Sequence, residues 1–120
     1  MESWIEWLPR VGAVLTLIIG LVGFFSPKMF LDQMDIGLNS PKAYSEARTV
    51  FGGLNLGLAI AALVMASPAV FTALGISWGM GLLARLWSQV VDGIALKDTI
   101  PGVVVDGTLC LLFLAPVLFG

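Results

Sequence analysis

The sequence contains no histidine and a single cysteine, Cys110, in 120 residues. Without histidine, the usual ligand for haem or catalytic zinc and the usual base near neutral pH are both missing. One thiol cannot form an internal disulfide framework, and among "TLCLLF" nothing near it in sequence would lower its pKa, so Cys110 is read as packing. Charge is scarce as well: charged residues make up 12% of the chain, and its six Lys and Arg stand singly. A nucleic-acid partner and a polybasic lipid anchor are thereby disfavoured. There is no G-x-S-x-G, no G-x-G-x-x-G and no P-loop. No catalytic residue, metal or cofactor is expected, and the balance is against an enzyme.

What the chain has in excess is apolar surface, with 58% hydrophobic residues and a mean hydropathy of +0.99. A soluble domain is nearer half apolar and a quarter charged. Four apolar segments, about 7–25, 44–66, 69–94 and 101–119, each come close to the roughly 20 residues that a helix needs to cross a bilayer. No period-two alternation marks strands, and an open sheet cannot sit in lipid. The expected fold is therefore all-α: one integral membrane domain over 1–120, a four-helix transmembrane bundle.

The first segment lacks an A-x-A cleavage signature and carries Trp4 and Trp7, which suit an interfacial anchor, so it is expected to remain as the first span. In the long connection that follows, Ser26 and Pro27 would open a short interfacial helix over about 27–36. Lys28, Lys42 and Lys97 fall in the first and third connections, against Arg10 on the other side. The positive-inside bias then puts the larger loops in the cytoplasm and both termini outside.

Five ionisable residues intrude on these spans: Glu46, Arg48, Arg85, Asp92 and Asp106. Arg85 is expected deepest, on the order of 14 Å from its helix end at about 1.5 Å per residue. A charge at that depth costs at least about 2.5 kcal/mol unless it is paired. Asp92 lies two turns away on the same helix, so a carboxylate from another helix is the better partner, with Asp106 nearest in depth and Glu46 within reach of a snorkelling guanidinium. Asn55 and Gln89 share the stripes of these charges and would enlarge a polar cluster near the cytoplasmic side. In a regular helix Glu46 and Arg48 diverge by about 200°, so only one can face inward unless that turn is unwound. Gly52, Gly53 and Gly57 on the second helix, and Gly75 and Gly79 on the third, have the small-residue spacing that lets membrane helices approach closely.

"SEARTVFGG", "ARLWSQVVDG" and an acid in the last helix together resemble a bacterial family of four-helix membrane proteins known only as a domain of unknown function. Its pattern is Glu-x-Arg-x-x-x-Gly-Gly on the second helix, Arg and then Asp-Gly on the third, and an acid on the fourth. Glu46, Arg48, Gly52, Gly53, Arg85, Asp92 and Gly93 fit it, whereas Asp106 stands where the family would have glutamate. The general plan is also DoxX-like. The resemblance implies a shared charged site and assigns no activity.

The sequence thus reads as a small non-catalytic membrane protein, an accessory or scaffold subunit whose charged cluster locks the helices or binds an anionic lipid, a small ligand or a partner. The partners in view are the bilayer, another membrane protein and a second copy of the chain. The alternative is a small proton-linked carrier using the same charges.

Overall fold

A computed structural model describes residues 3–120; Met1 and Glu2, part of the single domain expected over 1–120, lie outside the described residues. The chain is all-α, with no strand among the described residues. It forms α1 (Ser3–Phe25), α2 (Pro27–Asp32), α3 (Pro41–Met65), α4 (Pro68–Val91) and α5 (Leu96–Phe119). Four of these are long and apolar enough to cross a membrane. Their outward side chains are those that lipid solvates and water does not: Val64 is 78% exposed, Val90 79% and Trp87 69%. This is a multi-pass membrane protein.

The helix ends differ from the expected ones, and local chemistry explains each shift. Helix α1 starts before Trp7 and runs through Pro9, which costs it a single backbone hydrogen bond close to its N-terminus. Helix α3 starts at Pro41, not Tyr44, because the Ser40 hydroxyl accepts the Ala43 N–H at 3.2 Å and Pro41 fits the first helical position. Helix α4 ends at Val91, before the expected 94, as Gly93 turns the chain left-handed with φ +67°. Helix α5 begins at Leu96, a turn before Pro101. Helix α2 stops at Asp32, short of 36, where the chain tightens into a turn with Asp35 at φ 58°. Ser26 stands at its N-cap position without a side-chain cap bond.

Two compact units are distinguished, and the division falls within α1. One is the continuous stretch Ala13–Met65. Here α1 and α3 meet through glycines: a methyl group on Gly20 would come within 2.8 Å of the Leu56 nitrogen, and one on Gly23 within 2.7 Å of the Phe51 carbonyl. Gly52 answers from α3, resting on the backbone of Phe24. Leu31 of α2 is buried, and the Phe30 ring lies 5.5 Å from that of Phe51.

The other unit joins the chain up to Gly12 with Ala66–Gly120. Its centre is the antiparallel hairpin of α4 and α5, closed by a short connection at residues 92–95. Phe71, Leu74, Leu109 and Phe113 are buried, and Gly12 lies against the Phe113 ring. Arg10 stacks its guanidinium over Trp7 at 4.6 Å and Phe71 at 5.9 Å. Such cation–π contacts let an arginine sit on an aromatic surface at a membrane edge.

Candidate functional site

The hairpin brings two of the span charges together. Arg85 Nε donates to Asp106 Oδ2, forming an ion pair in which the carboxylate side chain is 5% exposed. Depth and side-chain direction explain the meeting. Arg85 is six residues before Val91, about 9 Å from the end of α4 at about 1.5 Å per residue. It is therefore shallower than the roughly 14 Å expected, because the helix stops at Val91. Asp106 is ten residues into α5, about 15 Å from its start. Side chains lean toward the N-terminus of their own helix, and the two helices are antiparallel. Arg85 thus leans deeper while Asp106 leans back toward the connecting loop, and the two close the difference in height.

Each charge also rests opposite a glycine of the other helix. Gly102, one turn before Asp106, lies under the Arg85 guanidinium so closely that a methyl group there would overlap it. Gly81, one turn before Arg85, has no side chain where Asp106 Oδ2 passes; a methyl carbon would sit 3.8 Å away. Neither glycine stands out in the sequence as a site residue. The available signal is a glycine four residues before each partner, Gly81–Arg85 and Gly102–Asp106, which on antiparallel helices matches the two in height. Toward the other end of the hairpin Gly75 abuts Leu114 at 2.6 Å and Gly79 faces Cys110 Sγ at 3.2 Å, each measured from a methyl carbon placed on the glycine. The Gly75–Gly79 spacing therefore serves α4–α5 packing.

The other polar residues of the hairpin have local roles or none. The Ser88 hydroxyl donates to Asp92 Oδ2, holding an exposed carboxylate at the α4 C-cap, where the helix dipole disfavours it. Gln89 is half-buried.

In the other unit, the second-helix motif folds in a way its sequence does not announce. Arg48–Gly53 is a π-helical turn within α3, and the Leu54 N–H reaches back to the Thr49 carbonyl. Buried positions before and within the turn, Ala47 and Gly52, are five residues apart, the spacing such a turn brings onto one face; Ala59 and Ala62 continue that face. The two regular stripes headed by Glu46 and Arg48 are therefore interrupted. Ala47 faces inward, while Glu46 and Arg48 are both exposed. Arg48 donates through Nη1 to the Phe24 carbonyl, one of the last carbonyls of α1, which ends at Phe25. A cation there also suits the helix dipole. Asn55 Nδ2 donates to the Phe51 carbonyl at 2.9 Å. Gly52 packs on α1, Gly53 lies 3.7 Å from the Arg48 carbonyl as measured from a methyl carbon, and Gly57 has open space beside it.

On the exposed connection, Lys28 bonds Asp32 at 2.8 Å, and this hydrogen bond, helped by the carboxylate charge, raises the lysine pKa above its ordinary 10.5. Among the described residues no group of three or more His, Cys, Asp or Glu is placed to hold a metal ion. Among known families, the model described as "Domain of unknown function (DUF4345)" matches residues 5–116, nearly the whole chain. No curated protein and no solved structure matches the chain.

Proposed function

The chain belongs to the DUF4345 family, and we propose that it acts as a small non-catalytic accessory or scaffold subunit of a membrane assembly. One observation carries this reading: the Arg85–Asp106 pair is closed on itself between two glycines. The charge of this carboxylate is answered within the hairpin, which suits a structural lock better than a carrier. The pair then locks the register of α4 against α5, since any slip would strand a charge in lipid. In this reading the protein needs no cofactor and no nucleic acid; its partners are the bilayer and another membrane protein or a second copy of itself. It sits in a bacterial inner membrane with both termini outside and the lysine-bearing connections in the cytoplasm, in keeping with the positive-inside bias.

The test is reconstitution of the purified protein into liposomes loaded with a pH-sensitive dye, alongside native mass spectrometry from mild detergent. An accessory subunit gives proton flux no higher than protein-free liposomes, and masses containing a partner or a second copy. Flux above that background, lost in the double variant Arg85→Leu/Asp106→Leu while the protein stays folded, would replace this reading with the proton-linked carrier.

A further inference from the structure

Arg85 is neutralised inside its unit; Arg48 is not. Among the described residues no carboxylate lies within ion-pair distance of Arg48, which is exposed and spends Nη1 on the Phe24 carbonyl. That single bond uses one of the five N–H donors of a guanidinium. Arg48 also lines an open groove of about 490 Å³, together with Phe24, Pro41, Tyr44, Ser45, Thr49 and Gly53. This lies within the roughly 300–1,000 Å³ typical of small-molecule sites. Two positions back, Glu46 is directed to another side of the helix, about 200° around. The groove therefore holds a guanidinium without a counter-charge, is lined as well by Tyr44 and Ser45, and has an apolar flank in Phe24 and Pro41.

Its depth identifies the chemistry it would meet. Arg48 lies seven residues from the start of α3, about 10 Å at about 1.5 Å per residue, and Tyr44, the only tyrosine in the chain, lies one turn nearer the edge. Tyrosines favour this headgroup level, and basic pockets between spans on such an edge suit anionic head groups. We propose that the Arg48 groove binds an anionic phosphate ester, one whose phosphate charge is not offset by a quaternary ammonium as it is in phosphatidylcholine. The guanidinium would donate to the phosphate oxygens through its free N–H groups, the hydroxyls of Tyr44 and Ser45 would complete the contact, and Phe24 and Pro41 would cover the apolar part beyond the phosphate. The phosphate can come from a phospholipid head group or from a soluble ester. The Phe24 carbonyl pre-positions the guanidinium, so little side-chain entropy is lost on binding. This inference does not rest on the accessory role, and an empty groove would leave the α4–α5 pair unaffected.

The protein is to be reconstituted in nanodiscs of phosphatidylglycerol and phosphatidylcholine in equal parts, released into the gas phase and weighed with its retained lipid. Wild type is expected to retain phosphatidylglycerol in preference to phosphatidylcholine, and Arg48→Gln to lose that retention by about tenfold, the loss of one charge-assisted contact. Displacement of the lipid by millimolar glycerol phosphate or inorganic phosphate would assign the groove to a soluble phosphate; no displacement assigns it to the head group. Equal retention of both lipids by wild type and Arg48→Gln overturns the proposal. Should Arg48→Gln fail to fold, Tyr44→Phe/Ser45→Ala, which leaves the Arg48–Phe24 bond in place, decides the matter: a loss of a few-fold upholds the site, and unchanged retention overturns it.

Discussion

Asp106 and Arg85 each lose their reason for being in the membrane when the other is removed. Asp106→Asn leaves a guanidinium beside Gly102 with no counter-charge, and because the Arg85 side chain is 39% exposed the cost should fall below the roughly 3–5 kcal/mol of a fully buried pair. Arg85→Leu/Asp106→Leu removes both charges and should recover most of that loss, so thermal unfolding of wild type, Arg85→Leu, Asp106→Leu and the double variant in detergent is expected to show strong positive coupling. Gly102→Ala should lower the unfolding midpoint only slightly, at a cost of up to about 1 kcal/mol, because the overlapped guanidinium is the mobile end of a long side chain and can shift. Gly57→Ala, with open space beside it, should be neutral or stabilising by up to about 1 kcal/mol. The partnership of Arg85 with an acid on another helix was legible in the sequence, since an arginine in a span demands one. The glycines beneath the pair were not, because a glycine in a membrane helix is common and only antiparallel register gives Gly81 and Gly102 their places.

At the scale of the element, the π turn in α3 is one residue added to an α-helix. In a wide turn Ala47 and Gly52 share a face five residues apart; in a regular turn the same face recurs after four. Deleting exposed Val50 should therefore convert Arg48–Gly53 to regular helix, keep both buried faces aligned and cost no more than about 1 kcal/mol. Deleting Leu58, in the regular part, rotates Ala47 and Gly52 by about 100° relative to Ala59 and Ala62. That variant should unfold at markedly lower temperature or fail to accumulate, and circular dichroism against temperature separates the two. Such a turn is hard to read in advance, because "RTVFGG" satisfies a helical pattern equally well with four or five residues per repeat.

For the whole molecule, the number of spans was legible because a bilayer sets a minimum apolar length that four segments meet among the described residues. Their ends were less so: Gly93 and Asp35 stop helices through backbone conformation, which hydropathy does not register. The proposed orientation predicts that, with Cys110 replaced by Ala, a single cysteine at Lys42 or Asp98 is labelled by a membrane-impermeant maleimide only after the cells are opened. One at Trp4 should be labelled in intact cells.

The division of the chain within α1 also bears on biogenesis. The unit Ala13–Met65 is continuous, so all its contacts are available as soon as α3 has left the ribosome. The other unit waits: Arg10 and Gly12 are synthesised early, but their partners Phe71 and Phe113 arrive much later. Throughout that interval the first turns of α1, with a positive charge among them, have only lipid and the translocation machinery for company. A chaperone or insertase that shields nascent membrane segments would be needed longest by the first turns of α1.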